Sequence, residues 1–322
     1  MKTSKTNLSR RRFLSSSVVA ATTAAAFRFE ERALLAHDQP PAETPPPLVG
    51  RPKEFPQARL GSLTISRLIC GGNLISGFAH SRDLIYVSRW LKEYFTDEKV
   101  FRTLALCEAE GINTAILRLD DNTLRILRAY WKERGGKIQW LAQIDIRGQD
   151  METAVKQAAD HGAVGAFTHG NVGDEYALAG KVSLLGEAVE AIKRRGLVAG
   201  IAGHSLEVAK RCEAAGIQPD FYMKTYNSKR YWSAGPMPRN DSVWEETPEE
   251  TKAFMATVKR PWIAYKVLGA GAIHPREGFR YAFYNGADFV CAGIFDFQIQ
   301  EDAAFAREAV EKAKNRPRSW CA

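Results

Sequence analysis

Short β-branched or apolar runs alternate with longer segments of helical period, and this alternation, repeated eight times, most narrowly limits what the chain can fold into. The runs are Leu63–Cys70, Asn113–Leu119, Gln139–Ile144, Val164–Thr168, Leu197–Ala202, Phe221–Thr225, Trp262–Val267 and Asp288–Gly293. Amphipathic stretches lie between them, among them Met151–His161, Leu184–Arg195, Leu206–Ala215 and Pro248–Val258. Several of these end in a glycine that leads into the next run, as in Glu110-Gly111, His161-Gly162, Arg195-Gly196 and Ala215-Gly216, where a left-handed helix C-cap needs no Cβ. Eight strand–helix pairs over about 255 residues match the size of a closed (β/α)8 barrel, a TIM barrel. An open doubly wound sheet would need a second topological half and a glycine-rich turn after the first strand. Neither is found in this sequence.

The N-terminal region sets itself apart from that pattern. Ser9-Arg10-Arg11-Arg12-Phe13-Leu14 precedes a weakly apolar, alanine-rich stretch to Ala26, and Ala24-Ala25-Ala26 offers a small-residue cleavage site. This arrangement resembles a twin-arginine signal peptide, which implies recognition by the twin-arginine export machinery and a periplasmic or secreted product. The apolar stretch of about 13 residues is too short for a stable membrane anchor. Residues 27–58, centred on Pro45-Pro46-Pro47, read as an extended proline-rich linker. The barrel is expected over 59–316 and a C-terminal tail over 317–322.

Charge narrows the function classes. The net +8 of the whole chain includes five basic residues and no acid in positions 1–26, so the remainder carries 40 basic against 37 acidic residues, or +3. That balance gives no basic field of the kind nucleic-acid binding needs, and a small-molecule substrate is the expected partner. The five cysteines, Cys70, Cys107, Cys212, Cys291 and Cys321, are widely spaced and form no zinc-type pattern.

Segments spread over nearly the whole barrel resemble the aldo/keto reductases. They are Leu60-Gly61 with Ile65-Ser66-Arg67-Leu68 and Gly71-Gly72, Ala109-Glu110-Gly111-Ile112-Asn113, Gly200-Ile201-Ala202-Gly203-His204-Ser205, and Ile263-Ala264-Tyr265-Lys266-Val267-Leu268-Gly269-Ala270-Gly271. The resemblance implies the barrel fold and a nicotinamide cofactor. It also implies an Asp-Tyr-Lys-His tetrad, but most of that tetrad is missing. The aspartate would fall near Ala115–Arg118, Asp120-Asp121-Asn122 stands where the tyrosine belongs, and the lysine gives way to the Gln143/Asp145 region. Only His169 sits where the family's histidine would be. After the eighth run, where the family cradles cofactor phosphates, the chain reads Phe295-Asp296-Phe297-Gln298. NADP is therefore the less favoured cofactor.

Active sites of such barrels lie at the C-terminal ends of the strands. The polar residues there are Asn73, Asp120, Asp145, His169, His204, Lys224, Lys266 and Asp296. His169, His204 and Asp145 are expected to act in acid/base catalysis or to ligate a divalent metal, with Lys224 and Lys266 polarising a carbonyl or holding an enolate. Asn73, Asp120 and Asp296 are expected to contact substrate. So are Arg230 and Trp232 of the long loop Tyr226–Glu246, which also carries Lys229, Tyr231, Arg239 and Trp244. A second long loop, Leu74–Phe95, carries Phe78, His80, Arg82, Tyr86, Trp90 and Tyr94. The expected chemistry is that of a lyase, isomerase or hydrolase on a small polar carbonyl or hydroxy compound, sugar-like or carboxylated. A nicotinamide oxidoreductase with an altered tetrad and a non-catalytic binding protein are the alternatives. The leader makes a direct prediction: replacing Arg10 and Arg11 by lysine should leave the precursor in the cytoplasm, and equal periplasmic yields for variant and parent in a fractionation assay would refute it.

Overall fold

The computed structural model describes residues 52–78, 84–147, 150–230, 245–316 and 318–321. The leader, most of the proline-rich linker, His80, Arg82 and the loop residues Tyr231, Trp232, Arg239 and Trp244 lie outside these. Eight parallel strands close into a ring: β3 (Leu68–Gly71), β4 (Thr114–Arg118), β5 (Gln139–Ile144), β6 (Gly165–Thr168), β7 (Val198–Gly203), β8 (Phe221–Thr225), β9 (Trp262–Tyr265) and β10 (Phe289–Ala292). They pair in chain order, and β10 returns to pair with β3. Helices follow every strand, so the fold is the (β/α)8 barrel that the alternation predicts. Among the described residues no helix is long and apolar enough to cross a membrane.

The first run departs from expectation. Leu63–Cys70 is not one strand but two, broken at Arg67. Its first half is β2 (Leu63–Ser66), which pairs antiparallel with β1 (Gln57–Leu60). Strand structure thus begins at Gln57, inside the segment expected to be linker. The hairpin plugs the bottom of the ring, with Leu60 and Ile65 fully buried against Ile69, Phe167, Phe221 and Phe289. Its turn residue Gly61 has φ +58° and lies where a Cβ would come within 3.0 Å of Val198, so this position calls for glycine on two counts.

Arg67 turns the chain because its side chain is drawn into a buried ionic cluster at the N-terminal ends of the strands. Asp288, fully buried just before β10, accepts hydrogen bonds from Arg316 (2.9 Å), Arg318 (2.6 Å) and the backbone N–H groups of Trp262 (3.1 Å) and Cys321 (2.9 Å). Arg67 donates to the Asp288 carbonyl at 2.8 Å. The Trp320 ring lies under both the Arg67 and Arg316 guanidinium groups, 3.8 and 3.5 Å from its centroid. Of the residues expected to form a tail, Arg318, Trp320 and Cys321 belong to the barrel floor. The four cysteines of the barrel, Cys70, Cys107, Cys212 and Cys291, are buried, and Cys321 is exposed; all five are free thiols.

Removing one partner from a buried ion cluster leaves uncompensated charge, which costs about 3–5 kcal/mol. Asp288→Ala strands two buried guanidinium groups and should lower stability by about that amount in urea unfolding; a loss well under 1 kcal/mol would contradict this account of the barrel floor.

Candidate active site

Side chains on a β-strand alternate between its two faces, so in a closed ring every second residue points to the barrel axis. The interior set is Ile69, Ile116, Leu141, Phe167, Ala202, Met223, Ile263 and Cys291 with their neighbours two residues away. Following the same parity to the C-terminal ends gives Gly71 and Asn73, Arg118, Gln143 and Asp145, His169, His204, Tyr265 and Gly293. All of these line one cavity of about 650 Å³. Lys266, Arg147, Asn171 and the aromatic rings of Phe78, Trp90 and Phe295 complete its wall. Trp90 comes from α1 (Val87–Tyr94), a helix formed within the loop expected over Leu74–Phe95.

His169 and His204 enter this cavity with their rings fixed by different devices. His169 is the N-cap of α5 (Gly170–Leu178), and its Nδ1 accepts a hydrogen bond from the Asn171 N–H at 3.1 Å. The proton of a neutral ring must then sit on Nε2. His204 does the reverse. Its Nδ1 pairs with Asp174 Oδ2 of α5 at 2.7 Å, while Asp174 Oδ1 accepts from the backbone N–H groups of His204 and Ser205, both at 2.9 Å. A carboxylate at Nδ1 places the proton there and leaves Nε2 as an acceptor. Burial pushes both histidines down. His169 falls to about 4, through desolvation and then through His204, Arg118 and Arg147, with Asp145 opposing. For His204, desolvation outweighs the pull of Asp174. Both rings are therefore neutral near pH 7, one a donor and the other an acceptor toward the cavity.

Gly170 makes this convergence possible, since a Cβ there would lie 2.8 Å from both His204 Cε1 and the Tyr265 hydroxyl. Tyr265 packs at 5.4 Å between centroids from the His204 ring. Its hydroxyl is buried without a hydrogen-bond partner of good geometry, and burial drives its pKa well above the usual phenol value. Lys266 lines the same cavity with φ +56°, a strained conformation for a non-glycine residue.

Several expected site residues lie elsewhere. Lys224 has the wrong parity: β8 turns Phe221 and Met223 inward and Lys224 outward, into a buried ion pair with Glu245 at 2.8 Å. Burial lowers its pKa and Glu245 opposes the shift. Asp120 caps α3 (Asp121–Glu133), accepting from the Thr123 N–H at 2.8 Å, and does not line the cavity. Asp296 is also outward and buried, held by Lys99 (3.1 Å), Arg102 (3.0 Å) and the Tyr94 hydroxyl (2.5 Å). Arg230 is exposed outside the cavity lining. Asn73, Asp145, His169, His204 and Lys266 do share the cavity. Sequence reasoning missed Arg118, Gln143 and Tyr265, which strand parity alone would have found, and Asp174, a helix residue that carries no such signal.

His169, His204 and Asp145, the residues expected at a metal, share the cavity wall, each with a partner inside the fold. Asp145 is clamped by Arg147 at 2.9 Å (Nε to Oδ1) and 2.5 Å (Nη2 to Oδ2), which holds its pKa at about 2. His169 and His204 each use Nδ1 within the fold and keep Nε2 for the cavity. Among the described residues no three His, Cys, Asp or Glu side chains are gathered to hold an ion. After β10, Asp296 pairs with both Lys99 and Arg102.

No protein-family model and no curated protein matches the chain. Solved structures do. Two described as a "putative aldo-keto reductase" from Pseudomonas aeruginosa superpose with TM-scores of 0.56 and 0.55 at 18% identity, covering 79% of this chain and 95% and 96% of theirs. At that identity the likeness shows the shared barrel fold.

The His169 environment has a measurable consequence. The folded chain refuses a proton that the unfolded chain takes up as pH falls below 6.5, so His169 should withdraw stability between pH 6.5 and about 4 and have no effect above that window. His169→Asn keeps a capping acceptor without the titration, and should flatten the loss over this window by roughly 2–3 kcal/mol in urea unfolding. An unchanged slope would show that His169 titrates normally.

Proposed function

We propose that the chain is an acid–base enzyme that moves a proton on a small carbonyl or hydroxy compound, an isomerase or lyase in type, working in the compartment reached by twin-arginine export. The observation that carries this reading is the pair of neutral histidines fixed in opposite tautomers and facing one cavity. His204 Nε2 has the lone pair needed to take a proton from carbon or from a hydroxyl. Asp174, at Nδ1, holds the ring in that orientation and stabilises the imidazolium that forms. His169 Nε2–H is the donor available to the oxygen that gains charge as the proton leaves, and one such donor is commonly worth about 3–4 kcal/mol. A neutral imidazole is a suitable electrophile here, because its weak acidity lets it donate a hydrogen bond without surrendering a second charge. Lys266, on the same wall, adds a positive field that favours the enolate.

Incubation in D2O with a panel of α-hydroxy acids, α-keto acids and aldoses, followed by proton NMR, tests the proposal directly. Deuterium should wash into the carbon beside the carbonyl or hydroxyl of at least one compound. His204→Ala should slow that exchange by about 10²- to 10⁴-fold, with Asp174→Asn at least about 10²-fold slower through the wrong tautomer. Exchange that survives His204→Ala, or none across the panel, would overturn it.

A further inference from the structure

Beside the histidines the cavity wall holds positive charge that its own carboxylates do not all match. Arg147 is committed to Asp145 by two hydrogen bonds and lies 3.7 Å from Glu175. Arg118, at the inward-facing end of β4, meets no carboxylate among the described residues. Its guanidinium lies 5.2 Å from the centroid of the Phe78 ring instead. An aromatic face supports a guanidinium from one side and leaves its planar fork of N–H donors edge-on to whatever lies beside it. Arg118 is half-buried and lines the cavity, so that fork sits where water is partly excluded and an anion gains most from it. Val87, Trp90, Leu91 and Phe295 give the same cavity an apolar wall.

We infer that Arg118 is the specificity-determining anchor for a carboxylate, and that the substrate is a monoanionic hydroxy or keto acid whose body lies along the Trp90–Phe295 wall. This inference deepens the acid–base reading and rests on it for the place of the reacting carbon, next to His204. A carboxylate matches what Arg118 supplies, a single flat fork carrying one positive charge. It also explains why Asp145 is so firmly clamped: an unclamped Asp145 would compete with the substrate for the cavity cations. Arg118 acts through binding and orientation, while proton transfer stays with the histidines.

Binding of phenyllactate to the full-length protein, measured by calorimetry and by Trp90 fluorescence, separates the two readings, with its methyl ester and phenyl phosphate as comparison probes. Phenyllactate should bind, and loss of the charged contact in the ester or in Arg118→Met should weaken binding by roughly 10- to 100-fold. Arg118→Lys, which keeps the charge and loses the fork, should fall between. Unfolding curves for each variant establish that the barrel is intact. Equal binding of acid and ester, undiminished binding by Arg118→Met, or no phenyllactate binding would overturn the anchor. Phenyl phosphate binding tighter than phenyllactate and dependent on Arg118 would overturn the carboxylate assignment. If phenyllactate binds through Arg118 while deuterium exchange is absent or survives His204→Ala, the histidine reading fails and the anchor stands.

Discussion

A parallel ring of eight strands gives each residue only two directions, toward the axis or toward the helices, and most of what this protein can do follows from that choice. The axis is filled at the floor by the β1–β2 hairpin and by rings such as Phe167, Phe221 and Phe289. Toward the other end the same alternation delivers Arg118, Gln143, Asp145, His169, His204 and Tyr265 into one shared space. The outward set, including Lys224 and Asp296, is equally polar but is consumed by ion pairs under the helices. Burying such charges unpaired would be prohibitive, which is why each has a counter-ion in the helical layer or its connections.

The alternation of runs and amphipathic segments made the barrel legible in the sequence, and strands such as Gln139–Ile144 and Phe221–Thr225 fall where the pattern places them. The break at Arg67 was hidden because its cause, Asp288, lies more than two hundred residues away. In the site, composition at strand ends pointed to His169, His204 and Asp145. It pointed with equal force to Lys224, because residue type says nothing of direction. Parity read strictly along each run would have exchanged Lys224 for Arg118 and Tyr265. Asp174 was beyond reach from the sequence: its role depends on α5 packing beside β7, a tertiary fact.

His169 and His204 illustrate how a fold gives two chemically identical side chains unlike properties. Position at a helix N-terminus commits one ring to accept from the backbone, and a carboxylate from that same helix commits the other to donate. Both settings come from α5, so the helix that buries its apolar side on the barrel also assigns the protons at its mouth. Gly170 at its start lets the His204 ring and the Tyr265 hydroxyl close against the helix.

The ionic cluster under the barrel ties the closure of the ring to residues far apart in the sequence. Arg316, Arg318 and the Cys321 N–H all reach Asp288 from beyond the last helix, and without them its carboxylate keeps only the Trp262 N–H. The first barrel strand is tied to the same cluster through Arg67, which donates to the Asp288 carbonyl. The seam where β10 meets β3 is thus secured from both ends of the barrel sequence, by Arg67 just before the first strand of the ring and by Arg316 and Arg318 beyond its last helix.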